Sequence, residues 1–290
     1  MRRFGIICKP GRTEHVVLLR EVVTWLEERG AETFVDSESA RSIGIQGHDR
    51  SEIPSRSDVV LVLGGDGTML SVARLVCERS LPILGVNLGG LGFITEVPKK
   101  DVFTALDHVL SGNFTIEERL MLTSSVIRNG EKISEYTALN DVVINKGALA
   151  RIEVFETYVD GAYVTKFRAD GLIISTPTGS TAYCLSAGGP ILYPTLDSIV
   201  LIPICPHTLT NRPIVLPETV TVEVILRSPA EDLFLTVDGQ VGFTLQEHDR
   251  VVVAKSPHKT RLLIPLERDF FEILTTKLGW GELSPRPPEG

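Results

Sequence analysis

The chain has 290 residues, of which 43% are hydrophobic and 23% charged, and a formal net charge of −8. That length predicts two domains at about 100–200 residues each, with ample chain to bury a core. A net negative charge without a long Lys/Arg block argues against nucleic acid as the main partner and gives no hint of a membrane surface.

Phe4 to Cys8 reads as a first strand, and the turn Lys9-Pro10-Gly11-Arg12 leads into a helix from about Thr13 to Arg29. Val16, Val17, Leu19, Val22, Val23 and Leu26 supply its apolar side, and Gly30 suits its C-cap. Arg2-Arg3 precede only this short apolar stretch, so no secretory leader is expected, and no apolar run reaches the ~18 residues of a membrane helix. Glu32 to Val35 is a short strand. The polar stretch from Asp36 to Ser57, with Gly44, Gly47 and Pro54, predicts a long loop.

Asp58 to Leu63 is short, apolar and rich in β-branched residues, as a buried parallel strand is. Gly64-Gly65-Asp66-Gly67-Thr68 follows, and then apolar residues at helical spacing, at Met69, Leu70, Val72, Ala73 and Val76. Strand, glycine turn and helix start make a phosphate cradle, because N–H groups and the positive helix end converge. A carboxylate repels phosphate, so Asp66 points to metal contact or to taking the proton of an attacking hydroxyl. The alternative is a turn aspartate that caps the following helix.

Leu81 to Asn87 is the next strand and leads to a second glycine turn, Gly89-Gly90-Leu91-Gly92-Phe93. Pro98 to Leu110 has helical spacing. This alternation predicts a doubly wound, Rossmann-like parallel sheet over residues 1–113. From 114 to 267 the pattern is β-rich, with strands at 115–126, 136–145, 151–159, 162–168, 172–175, 198–204, 219–226, 233–237 and 250–255. Asn129-Gly130, Asp160-Gly161 and Asp238-Gly239 are hairpin turn signals that favour antiparallel pairing. The last segment, 268–290, holds a helix over Asp269 to Lys277, read as returning to the first domain, and a Pro-rich tail expected to be disordered. Cys8, Cys77, Cys184 and Cys205 are scattered, which fits neither zinc nor a disulfide framework and predicts a reducing cytoplasm.

Three further stretches carry chemistry. Thr176 to Tyr183 is nearly all small and hydroxylated, so Ser180, Thr181 and backbone N–H groups can hold phosphate or ribose oxygens, and Tyr183 offers a flat face to a base. Asn140-Asp141 supplies donors and acceptors for ribose hydroxyls, but adjacent side chains on a strand point opposite ways, so the strand must twist, bulge or end there. Arg168 can bind phosphate, or simply pair with Asp170 across a turn. His207 reads as a packed or surface histidine.

Together these motifs resemble the NAD kinase family, over nearly the whole chain. Its marks are Gly64 to Thr68, Asn87 to Phe93, Leu139 to Val142, Asp170-Gly171 running into Thr176 to Tyr183, Ser186 to Pro190, Pro206 to Leu209 with Arg212-Pro213, and Leu274 to Trp280. The resemblance implies ATP-dependent phosphorylation of the 2′-hydroxyl of the adenosine ribose of NAD, giving NADP. It makes Asp66 the proton acceptor and Gly67 part of the phosphate cradle, and gives Asn140 and Asp141 the ribose hydroxyls. Thr181, Ala182, Tyr183, Cys184, Leu185 and Ser186 then border the adenosine, with Phe93 nearby. Arg151, Arg168, Asp170 and Gln240 complete the dinucleotide site, partly across a subunit contact.

The resemblance further implies a homodimer or homotetramer, and a divalent cation, usually magnesium, delivered with ATP rather than held by a metal site of the chain. Many relatives have glutamate at Asp141, and the shorter arm lengthens its reach to a ribose unless the backbone compensates. A Rossmann dehydrogenase would want G-x-G-x-x-G after the first strand, and Lys9 to Thr13 lacks it. A lipid or sugar kinase shares the aspartate turn but not the hydroxyl motif. A non-catalytic NADP sensor would carry the same binding residues.

Overall fold

The structure is a computed structural model, and it describes residues 1–9, 11, 13–90, 92–95, 97–147, 153–208, 210–227, 233–265 and 269–279. Arg151, Leu91, Leu209, Trp280 and the Pro-rich tail lie outside the described residues.

Six apolar residues in a row with no polar face can only be satisfied between two layers. β3 (Val59–Gly64) is accordingly buried at every position. It pairs in parallel with β1 (Arg3–Cys8) on one side and β4 (Pro82–Asn87) on the other, while β2 (Glu32–Val35) pairs with β1 and the two-residue β5 (Val97–Pro98) with β4. The sheet order is β2-β1-β3-β4-β19-β6, with β6 at Thr115–Arg119 and β19 at Thr260–Ile264. The order reverses beside β1, so the carboxyl ends of β1 and β3 flank a switch point, where open α/β sheets place ligands. Helices α1 (Thr13–Glu28), α4 (Asp66–Val76) and α5 (Val102–Ser111) follow β1, β3 and β5, and Leu19, Leu26 and Leu106 join Phe4, Ile6, Leu61 and Leu84 in one core.

The polar stretch expected as a loop instead carries α2 (Ser37–Ile43) and α3 (Ile53–Arg56). For α2 the reason is capping. The Asp36 carboxylate accepts from Glu38 N and Ser39 N at 3.1 and 3.3 Å, Gly44 closes the other end at φ +74°, and Ala40, Ile43 and Ile53 are buried.

The other compact unit, Glu118–Arg261 with Val76–Ser80, holds two six-stranded antiparallel sheets. One runs β11-β10-β15-β18-β7-β8, from β7 (Leu122–Arg128), β8 (Glu131–Ala138), β10 (Glu153–Val159), β11 (Ala162–Ala169), β15 (Val222–Leu226) and β18 (Arg250–Lys255). The second runs β14-β13-β12-β9-β16-β17, from β9 (Asp141–Lys146), β12 (Gly171–Ser175), β13 (Ser198–Ile204), β14 (Ile214–Pro217), β16 (Leu233–Val237) and β17 (Val241–Thr244). Leu122, Phe155, Val224 and Val251 of the first sheet share a core with Ile144, Leu172, Leu201 and Leu235 of the second. The other face of the second sheet buries Val143, Ile173, Val200 and Ile202 under Cys184 and Leu192. Burial on both faces explains why Gly171 to Ser175 reads as an unbroken apolar run.

Two strands expected as single break in two, at Leu120-Met121 and at Leu139-Asn140. β14, β17 and β19 were not expected at all: β14 is a short strand with Pro213 before it and Pro217 at its end, and β17 is the short return arm of the Asp238-Gly239 hairpin. The final helix, α7 (Phe270–Leu278), belongs to the unit of the parallel sheet. No helix among the described residues is long and apolar enough to cross a membrane.

Candidate active site

Asp66 is the first residue of α4, two residues beyond the end of β3. Its carboxylate does not cap its own helix; the second glycine turn holds it. Oδ2 accepts from Phe93 N at 2.9 Å, and Oδ1 accepts from Ile94 N and Thr95 N, both at 3.1 Å, and from Thr95 Oγ1 at 3.0 Å. Asn87 locks the arrangement, donating through Nδ2 to Thr95 Oγ1 at 2.7 Å and accepting from Gly89 N at 2.8 Å. Gly92 makes the approach possible, because a Cβ there would stand 2.0 Å from Thr95 Oγ1 and 2.3 Å from Asp66 Oδ1. The two glycine motifs are therefore one device for aiming a carboxylate. Oδ1 is saturated with three donors, whereas Oδ2 has one N–H and keeps a lone-pair direction. The Lys277 ammonium lies 3.9 Å from Oδ2, and Gly67 is exposed on the first turn of α4.

The second cluster lies in the β-rich unit, on the outer face of the second sheet. Asn140 and Asp141 stand where β8 breaks from β9. Asp238, at φ +51° in the β16–β17 hairpin, enforces the break by accepting from Leu139 N at 3.2 Å, Asn140 N at 2.7 Å and Asp141 N at 3.3 Å. Two neighbours of opposite pleat thus reach one cleft. The hydroxyl motif is folded onto the same point. Thr176 N donates to Asn140 O at 2.9 Å, Thr176 Oγ1 donates to Leu139 O at 2.6 Å, and Gly179 N donates to Thr176 Oγ1 at 3.1 Å. A Cβ on Gly179 would meet Asn140 O at 2.1 Å.

The resulting cleft has a volume of about 280 Å³, near the lower end of the ~300–1,000 Å³ usual for ligand pockets, and Asn140, Asp141, Asn145, Tyr183 and Thr236 line it. Asn140 Oδ1 is buried there without a hydrogen-bond partner among the described residues. Burial, and then the charge of Asp238, push the Asp141 carboxyl up to about 7. Tyr183 is 44% exposed beside this cleft.

Residues 4–114 match the ATP-NAD kinase N-terminal domain, and residues 139–265 match the ATP-NAD kinase C-terminal domain. The NAD kinase of Geobacter sulfurreducens is 52% identical over 283 residues, covering 97% of this chain and 100% of that one. The NAD kinase of Syntrophotalea carbinolica is 49% identical over 284 residues, with the same two coverages. The chain belongs to the NAD kinase family. As an NAD kinase it phosphorylates NAD to NADP. Yeast NADH kinase complexed with NADH superposes with a TM-score of 0.91 at 25% identity, over 99% of this chain and 90% of that one. An NAD kinase from Archaeoglobus fulgidus in complex with ATP shares the fold, with a TM-score of 0.77 at 23% identity over 96% and 98%.

Several residues that the NAD kinase resemblance selects sit away from that cleft's lining. Arg168 is exposed on β11, and its carbonyl accepts from His207 N at 2.9 Å. His207 is exposed, as a surface histidine is. Asp170 pairs with Lys146 at 2.8 Å rather than with Arg168, because the β9–β12 register sets Lys146 opposite it. Gln240 is exposed in the hairpin after Gly239. Ser180, expected to hold ligand oxygens, is fully buried, donating to Pro177 O at 2.6 Å and accepting from Leu192 N at 3.0 Å, so it shapes the loop instead.

Thr181 Oγ1 bonds Thr178 O at 3.3 Å, and Ala182 lines the cleft. Leu185 and Ser186 follow on the four-residue helix α6 (Tyr183–Ser186), whose buried Cys184 has a thiol pushed up to about 11 by burial. Phe93 belongs to the Asp66 cluster, with the Lys277 ammonium over its ring. Sequence reasoning missed Asp238. Its signal was present, an Asp-Gly pair between strands, but that signal reports a turn and not what the carboxylate holds.

Proposed function

We propose that the phosphoryl group of ATP goes to the 2′-hydroxyl of the adenosine ribose of NAD, with Asp66 as proton acceptor. The observation that carries this reading is the Asp66 carboxylate, fixed on four donors with Oδ2 left open. A carboxylate is a weak base toward a ribose hydroxyl, so it does not deprotonate the ground state. Phosphoryl transfer has a loose transition state, and positioning and charge neutralisation supply most of the gain. The bond from O2′ to the γ-phosphorus forms as the bond from that phosphorus to ADP breaks, and Oδ2 collects the proton late. Asn140 and Asp141 hold ribose hydroxyls. The unpartnered Asn140 Oδ1 supports this, since a buried acceptor without a donor is costly unless a ligand supplies one.

Among the described residues no three His, Cys, Asp or Glu side chains gather as a metal site. Magnesium in this reading enters on the phosphate oxygens of ATP, as part of the substrate. The enzyme is a cytoplasmic homo-oligomer in which Arg151, Arg168, Asp170 and Gln240 complete dinucleotide binding, partly from a second copy. Incubation with ATP, Mg²⁺ and NAD, followed by an NADP-only dehydrogenase, tests the reaction, and absence of NADP overturns it.

Tyr183 stacks on the adenosine base and does no chemistry. Tyr183→Ala is expected to raise the NAD KM by about 5–150-fold, matching the ~1–3 kcal/mol of a stacked base, with kcat nearly unchanged. Steady-state kinetics at saturating ATP checks it, and an unaltered KM removes Tyr183 from the site.

Oligomer assembly is tested by sedimentation together with mixing of Asp66→Asn and Asp170→Ala subunits after mild dissociation. Regained activity is the expected result. A fully active monomer at assay concentration ends the idea of shared sites.

A further inference from the structure

Helix α7 is docked by Ile273 and Leu274, both buried. Lys277 follows them by four and three residues, so it projects from the same face of the helix, toward the protein rather than away from it. Its side chain is 28% exposed. The residue as a whole is exposed, so water reaches its ammonium and the charge needs no protein partner to be solvated. The partners present are weak ones: Asp66 Oδ2 at 3.9 Å, beyond hydrogen-bond range, and the Phe93 ring, with Nζ 4.3 Å from its centroid. Among the described residues Lys277 Nζ makes no hydrogen bond, and an ammonium has three N–H donors. Three donors open to solvent or ligand stand beside the open oxygen of the proton acceptor and against the glycine turn that holds it.

We propose that Lys277 is a second catalytic residue, whose ammonium contacts the oxygens of the transferring phosphoryl group of ATP beside Asp66. The inference rests on the reading of Asp66 as proton acceptor. A carboxylate placed where a triphosphate must approach repels it, and a cation next to that carboxylate offsets the repulsion. Charge spreads over the equatorial oxygens in the transition state, and a preorganised donor aimed there lowers the barrier. Lys277 keeps its protons throughout: O2′ gains the phosphoryl group, ADP leaves with the bridging oxygen, and the hydroxyl proton goes to Asp66. The Phe93 ring holds the ammonium in place without consuming a donor, which a carboxylate in hydrogen-bond contact would do.

The alternative is a purely structural anchor for α7, and kinetics on the full-length enzyme separates the two. Lys277→Met keeps the stem and removes the charge. It is expected to lower kcat by about 10²–10³, the range for losing one transition-state donor, with the NAD KM within threefold. Lys277→Arg is expected to recover at least tenfold of that loss, and ethylamine or butylamine added to Lys277→Ala to raise its kcat in a saturable way. A Lys277→Met kcat within threefold of the parent overturns the proposal. So does an equal loss in the Met, Arg and Ala variants with lowered melting temperatures and no amine rescue, which assigns Lys277 to packing. Asp66→Asn is run in parallel. If it stays active, the reading of Asp66 has failed; if it is inactive while Lys277→Met is normal, only this inference has.

Discussion

Asp66→Asn is expected to lower kcat by about 10²–10⁴, the usual contribution of a general base, and to leave the NAD KM within a few-fold. The amide is close in size, and its oxygen can keep the three donors now on Oδ1. Its nitrogen, however, takes the place of Oδ2. There it faces the Phe93 N–H, donor against donor, and can accept no proton. One backbone donor left unsatisfied costs about 1–3 kcal/mol, so a modest fall in stability accompanies the kinetic effect. Burst-free steady-state assays with a thermal melt on the same preparation separate the two. A folded Asp66→Asn enzyme with near-normal kcat would show that the carboxylate serves only to hold the second glycine turn.

The second large effect is at Asp238. Its carboxylate holds three consecutive backbone N–H groups, at 3.2, 2.7 and 3.3 Å, in a buried break between two strands. Asp238→Ala orphans them, and a loss of about 3–5 kcal/mol is expected at pH 5, given ~1–3 kcal/mol per buried donor left without its acceptor. The loss should be smaller at pH 8, for a reason that lies in Asp141. Burial first, and the Asp238 charge second, raise the Asp141 carboxyl to about 7.

Between roughly pH 4 and 7 the folded protein therefore holds a proton that the unfolded chain has released. Stability then falls as pH rises through that window and is lowest above it. At pH 8 the parent carries both carboxylates charged and pays their repulsion, which Asp238→Ala relieves; at pH 5 Asp141 is neutral and there is nothing to relieve. Urea unfolding at the two pH values measures this. An equal loss at both would remove the Asp141–Asp238 coupling, and a loss under 1 kcal/mol would remove the clamp. The NAD KM should rise as well, because Asn140 and Asp141 lose the break that turns both toward the cleft.

What could be read from residue order alone was whatever is local. Period and β-branching located β1, α1, β3, β4 and α5 and most antiparallel strands, because burial on one or both faces imposes a repeat on neighbouring residues. Glycine turns marked where backbone must pass close to something, and the motif set was enough to identify the family. The capped helix α2 was missed although Asp36 and Gly44 were in view, because the polar composition of the stretch hid two capping residues, and the single-turn α3 has no side-chain cap to mark it.

The rest could not be read from neighbours. Asp66 is held by residues 27 to 29 positions away, and the break at Asn140 is made by a carboxylate 98 positions away. The partner of Asp170 depended on which strand came to lie beside it. Buried polar groups take whatever complementary group the packed chain brings within about 3 Å, and sheet register and turn geometry decide that. The chemistry of the site was therefore written in residue types, and its aim was decided by tertiary structure.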